Sequence, residues 1–155
     1  MLRLSKAAIF AVAALIGLGS TTALAGSAEN GYNNQKVVYH INNVHDSTGA
    51  LRNVNNHLNA VGEENIELIV VTHSSGAFSL VDGANGKTDS KGKPYNFTDQ
   101  VAGLANRGVK FEICGVTLKR LNIDSAKINE NADIVPSGVA QVAHLQQEGY
   151  LYVKP

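Results

Sequence analysis

The chain has 155 residues, 13 Lys and Arg against 13 Asp and Glu, one Cys and no Trp. At 44% hydrophobic it can bury one core of ordinary domain size. The zero formal charge argues against a nucleic-acid binder. A lone Cys excludes an intramolecular disulfide and a Cys-rich zinc site.

Residues 1–25 read as an export signal. Arg3 and Lys6 form a basic start, and Ala7 to Leu18 is a 12-residue apolar or small run. Ala23-Leu24-Ala25 then supplies a small-x-small cleavage site. The apolar run falls short of the roughly 20 residues that span a bilayer, and no later stretch approaches that length. The expected mature chain is one domain, Gly26–Pro155, slightly acidic once Arg3 and Lys6 are gone. It is expected to be free of the membrane after processing and periplasmic in a Gram-negative cell.

Five β-type runs follow in order: Lys36–Ile41, Ile66–Thr72, Val109–Cys114, Ala132–Pro136 and Tyr150–Val153. The second has a continuous apolar core, which predicts burial on both faces. Helical patterns lie between the runs. Leu51, Val54, Leu58 and Val61 share one helix face, with a cap at Asp46, Ser47 or Thr48 and a stop at Gly62. Val101, Leu104 and Ala105 mark a second helix, capped by Asn96 or Thr98 and closed by Gly108. A broken helical stretch runs from Thr117 to Ile128 and restarts at Asp124. Val139, Val142 and Leu145 mark the last helix, which ends at Gly149. Regular β-α alternation predicts a three-layer α/β/α domain with a five-stranded, mainly parallel sheet and helices on both faces.

Residues 74–95 break the rhythm. They are rich in Gly, Lys, Ser, Asp and Asn and read as a long connection of the kind that serves as a lid, a binding loop or a disordered insertion. Gly83 to Thr88 lacks phosphate-loop spacing, because Val81 stands where the first glycine is needed. ATP binding is not expected.

In an open parallel sheet, ligands bind outside the carboxyl ends of the strands. The strand ends here present His40, Asn42 and Asn43; His73; Cys114, Gly115 and Thr117; and Ser137 and Gly138. Topology would gather them on one rim. A thiol at a strand-to-helix junction meets helix amides, which favour the thiolate, the form that attacks sulfur or binds a soft metal. A plain buried strand position is the other reading of Cys114. His40 or His73 could hold the thiolate or move its proton. His45 reads as a solvated cap neighbour, His57 as exposed or at a subunit contact, and His144 as unpartnered. His40, His73 and Cys114 have no diagnostic metal spacing. No metal or organic cofactor is expected.

The chain resembles the DsrE/DsrF-like family, especially its small exported members, over 36–155. The resembling segments are Lys36–His40, Asn53–Leu58, Gly108–Leu118, Val135–Val139 and Leu145–Tyr150. The third is the most specific, because it sets a cysteine at a strand end. The resemblance implies a flavodoxin-like or Rossmann-like domain assembled into trimers or hexamers. In the family's sulfur-relay members a cysteine accepts and donates sulfane sulfur as a persulfide, and that role falls on Cys114. The relay members are cytoplasmic, whereas this chain carries an export signal. The expected function is an exported sulfur carrier or sulfurtransferase-like protein. Its donor and acceptor would be small molecules or proteins. The alternative is a non-enzymatic oligomeric protein that binds a small ligand or a metal.

Overall fold

The computed structural model describes residues 31–83 and 87–155. The export segment at 1–25 lies outside the described residues. Five strands form one sheet: β1 (Gln35–Ile41), β2 (Ile66–Thr72), β3 (Lys110–Cys114), β4 (Ala132–Val135) and β5 (Leu151–Val153). Every pairing is parallel, in the order β4-β3-β2-β1-β5. The helices are α1 (Ser47–Val61), α2 (Thr98–Ala105), α3 (Gly115–Leu121) and α4 (Gly138–Gln147).

The layering follows from the strand order. The chain steps from β1 to β4 in one direction and then returns across the sheet to place β5 beside β1. Parallel crossovers are right-handed, so the forward steps put their helices on one face and the return puts α4 on the other. The buried clusters agree. Leu51, Val54 and Leu58 of α1 and Val101 and Leu104 of α2 pack with Val37, Ile41, Leu68, Val70, Phe111 and Ile113. On the opposite face, Val142 and Leu145 of α4 pack with Val38, Ile69, Val71 and Tyr150. The apolar run of β2 is buried on both sides, as its composition predicts.

The helices follow the expected apolar spacing, but their starts differ from the expected caps. Helix α2 has Phe97 at its N-cap with no side-chain cap bond, while Asn96 Oδ1 accepts from the Thr98 amide, the first of the helix. Asp46 stands at the start of α1 without a capping bond. Two further differences lie in α4 and at 74–95. Helix α1 buries Leu51, Val54, Leu58 and Val61, and Gly62 closes it at φ 88° with its N–H on Leu58 O. Asp124 restarts a short 3-10 turn after α3 by accepting from the Ala126 amide. Val139, however, is 63% exposed. The inward face of α4 runs through Gly138, Val142 and Leu145, spaced by four and three residues, which turns Val139 outward.

The second difference concerns 74–95. Ser74–Leu80 is a 3-10 helix, and Gly76, Ala77, Ser79 and Leu80 are buried in it. Gly76 allows this: a Cβ there would stand 2.2 Å from Ile41 O. Further along, Asp89 organises a turn, its Oδ1 accepting from the Lys91 and Lys93 amides. Tyr95 stacks on Phe97 and reaches His45 at 3.1 Å. Among the described residues, no helix is long and apolar enough to cross a membrane.

Candidate functional site

Alternate residues of a strand face alternate sides. The register therefore decides which strand-end side chains meet. Val38 and His40 of β1, Val71 and His73 at β2, and Glu112 and Cys114 of β3 all face α4. Tyr152 of β5 lies opposite Val38 and joins the same face. Tyr152, His40, His73 and Cys114 thus form a staggered line along the carboxyl margin of the sheet.

The contacts along this line are specific. The His40 and His73 rings stack with centroids 4.7 Å apart and planes 24° apart. His40 Nδ1 lies 2.8 Å from the Tyr152 hydroxyl. Gly138, the first residue of α4, seals the other end: a Cβ there would stand 3.1 Å from the Cβ atoms of both Cys114 and His73. That close approach brings the Gly138 amide to the thiol.

Cys114 is the N-cap of α3, and its Sγ accepts from the Thr117 amide at 3.4 Å. Thr117 Oγ1 in turn accepts from the Ser74 amide at 3.1 Å. Its own hydrogen is thereby free for the sulfur. Ser74 sits in the left-handed region at φ 52°, a conformation that costs a non-glycine residue energy and is held by this contact. Burial pushes the Cys114 thiol up, but the Gly138 amide, the Thr117 hydroxyl and amide, and the Val116 amide outweigh it. The net direction is down, toward the thiolate. The residue itself is only 4% exposed.

Both histidines are held below their ordinary value. Burial is the main cause in each; His73 and Lys154 add to it for His40, and Arg120 and Lys154 for His73. Both imidazoles are therefore neutral at pH 7. The Nε2 atoms of His40 and His73 are shielded from water and have no hydrogen-bond partner.

The other expected rim residues divide. Thr117 and Gly138 stand at the sulfur. Gly115 is turned elsewhere: a Cβ on it would meet Val135 O at 3.2 Å, and the amides that reach Sγ belong to Val116, Thr117 and Gly138. Ser137 caps α4 by accepting from the Ala140 amide at 3.5 Å. Asn43 caps the 3-10 turn at Val44–Asp46 and meets Ser75. Asn42 is half-buried at the end of β1, where Gly76 packs on its backbone. His57 is neither exposed nor free, because Tyr39 and Gln35 hold its two nitrogens at 3.1 and 2.7 Å. Sequence reasoning missed Tyr152 and Lys154, which reach the site only because β5 returns beside β1. It also missed the Ser74 amide.

Among the described residues, no three of His, Cys, Asp and Glu stand where they could share one metal ion. A groove of about 320 Å³ lined by Gly115, Leu118, Ile123 and Ile134 lies on the far face of the sheet from the thiol. It is not part of the site.

Comparison with known proteins places this geometry in context. The model of the DsrE/DsrF-like family matches residues 35–155. A protein of unknown function, MTH1491 from Methanobacterium thermoautotrophicum, superposes with a TM-score of 0.67 and 28% identity, covering 78% of this chain and 99% of its own. The YchN protein of E. coli superposes at 0.62 with 16% identity and the same coverage, a likeness of fold. No curated protein matches the chain.

Proposed function

The chain belongs to the DsrE/DsrF-like family, and from that premise we propose that it is an exported sulfur carrier whose persulfide site is Cys114. The observation that carries the reading is the set of four donors on one sulfur: the Gly138, Thr117 and Val116 amides and the Thr117 hydroxyl. Such donors stabilise the thiolate that attacks the sulfane sulfur and that is regenerated when the persulfide is discharged.

In the transfer step, the Cys114 thiolate attacks the sulfane sulfur of a donor. A new S–S bond forms, and the donor's bond to that sulfur breaks with its electron pair leaving on the departing group. An acceptor thiolate then attacks the terminal sulfur and regenerates Cys114. No oxidant or reductant enters. His73, beside the cysteine, and His40, stacked on it, border the sulfur that a donor approaches. With one cysteine in the chain, no internal thiol can release the persulfide as a disulfide.

The export signal at 1–25 supports a periplasmic site of action. The family supports a homo-oligomer, trimeric or hexameric. So do the exposed Val116 and Val139 on the helix starts beside the thiol, and Leu151, 61% exposed on the edge strand β5. A second reading, an oligomeric small-ligand-binding protein, is favoured by the low exposure of Cys114.

The test is intact mass after incubation with thiosulfate or polysulfide, with Cys114→Ser alongside. A reducible gain of sulfur on the wild type alone is expected. No adduct, with slow alkylation of Cys114, leaves the binding reading.

A further inference from the structure

We propose that His40 and His73 form an oxyanion seat beside Cys114, so that the sulfur donor is a small thiosulfonate-type anion such as thiosulfate. Naming it a donor rests on Cys114 being the persulfide site; the binding of the oxyanion does not.

Two observations carry the assignment. The first is the pair of Nε2 atoms. Both are shielded from water, and both lack a partner in the protein. Buried polar nitrogens are almost always paired, and leaving one unpaired costs stability. Here two such atoms belong to stacked rings on adjacent strands. The Tyr152 hydroxyl lies 2.8 Å from His40 Nδ1. With the hydroxyl as donor in this pair, the His40 proton resides on Nε2, where it is a donor without an acceptor.

The second is the charge facing the pair. From α3 comes Arg120, and from the segment after β5 comes Lys154. From β5 comes the Tyr152 phenol. The first turn of α4 carries no acid. The carboxylate on this face of β3, Glu112, lies one pleat below Cys114 and accepts from Gln141. Among the described residues, two unpartnered ring nitrogens and two cations therefore face one another here, and the carboxylates of this face, Glu112 and Asp133 beside it on β4, sit one pleat back from the thiol.

That combination answers a chemical difficulty. A thiolate attacking a dianion is opposed by like charge. Donors and cations that hold the sulfonate oxygens remove the opposition and leave the sulfane sulfur facing Cys114, which is next to His73 across Gly138. The thiolate forms a bond to the sulfane sulfur, and the S–S bond of thiosulfate breaks. Its electron pair leaves on the sulfonate sulfur as sulfite, and Cys114 keeps the persulfide anion. Charge is the same on both sides, so no proton is required. Polysulfide, though also an anion, and a protein-borne persulfide carry no sulfonate oxygens to place, and neither would use the pair this way.

The experiment compares two donors on three proteins. Wild type, His40→Phe and His73→Phe are loaded with thiosulfate or with polysulfide, and the rate of sulfur gain is read by mass. Phe keeps the stacked ring and removes the nitrogens. Thiosulfate loading should slow about tenfold in each variant, the loss of one strong hydrogen bond to a charged oxygen. Polysulfide loading should be retained, which also shows that the variants fold. Equal effects on both donors, or none on either, overturn the assignment. Separately, thiosulfate binding to Cys114→Ser is measured by calorimetry. Binding should be tighter near about pH 6 than near about pH 8, because a bound dianion favours the imidazolium. It should weaken in the His40→Phe and His73→Phe backgrounds. If neither donor loads the wild type, the persulfide reading falls. The calorimetry still decides the seat, and absent or histidine-independent binding overturns it.

Discussion

The amide of Thr117 donates to Cys114 Sγ at 3.4 Å while the hydroxyl of the same residue accepts from the Ser74 amide at 3.1 Å. One buried threonine thus joins the ends of β2 and β3 and points its remaining hydrogen at the sulfur. The thiol's acidity depends on a backbone turn in a different strand-to-helix connection.

Thr117→Val removes that hydroxyl. The Ser74 amide loses its acceptor, and the sulfur loses one donor. The Cys114 thiol should become less acidic, and alkylation near neutral pH should slow. Stability should fall by about 1–3 kcal/mol, the cost of a buried unpaired donor. The pH profile of the alkylation rate and a urea melt measure the two effects.

Gly138→Ala adds a methyl group 3.1 Å from Cys114 Cβ and His73 Cβ and 3.3 Å from Thr72 O. Helix α4 must shift outward to admit it. The Gly138 amide then withdraws from the sulfur, so the thiol should again become less acidic. Overpacking of this kind costs about 1–3 kcal/mol. An unchanged alkylation profile would show that the Gly138 amide does not act on the sulfur.

His40, His57 and His73 are all held below their ordinary value, with burial the leading cause. The unfolded chain takes up protons at histidine around pH 6.5, and the folded chain resists them. Their contribution to stability is therefore present above that pH and lost as pH falls through the folded values. Glu112, raised by burial, works in the opposite sense, its contribution lost as pH rises through its elevated folded value. The difference between proteins isolates one histidine. The melting temperature of His73→Phe should fall less steeply than that of wild type between about pH 7 and pH 5. Parallel curves would show that His73 titrates alike in both states.

Arg107 ties the chain just beyond α2 to α1. Its guanidinium donates to Asn55 Oδ1, to Asn59 Oδ1 and to Glu63 Oε1. Glu63 is half exposed, so the ionic part is weak. Arg107→Ala should cost about 1 kcal/mol in a urea melt and leave Cys114 alkylation unchanged. A change in alkylation would reveal coupling between the α1 face and the thiol.

The sheet and its helices were legible because the signals are local. Continuous apolar runs such as Leu68–Val71, the 51-54-58-61 spacing and the closing Gly62 each act within a few residues. Cys114, His40 and His73 were legible as candidates because parallel strands end on one rim. The departures are tertiary. Val139 fits a helical pattern but points outward, because α4 approaches the sheet through Gly138. Ser74–Leu80 has the composition of a loop, yet it is buried because Gly76 lets it press against β1. Asn43 and Ser137 have side chains suited to a ligand, but helical turns use them as caps.

The sequence by itself determined the alternation of strands and helices, the family, and the position of one thiol at a strand end. Only the tertiary structure decided what that thiol meets. The return crossover sets β5 beside β1 and α4 across the strand ends, which brings Tyr152, Lys154 and the Gly138 amide to residues 24 to 114 positions away in the chain. Such contacts depend on strand order and register, and no local spacing encodes them.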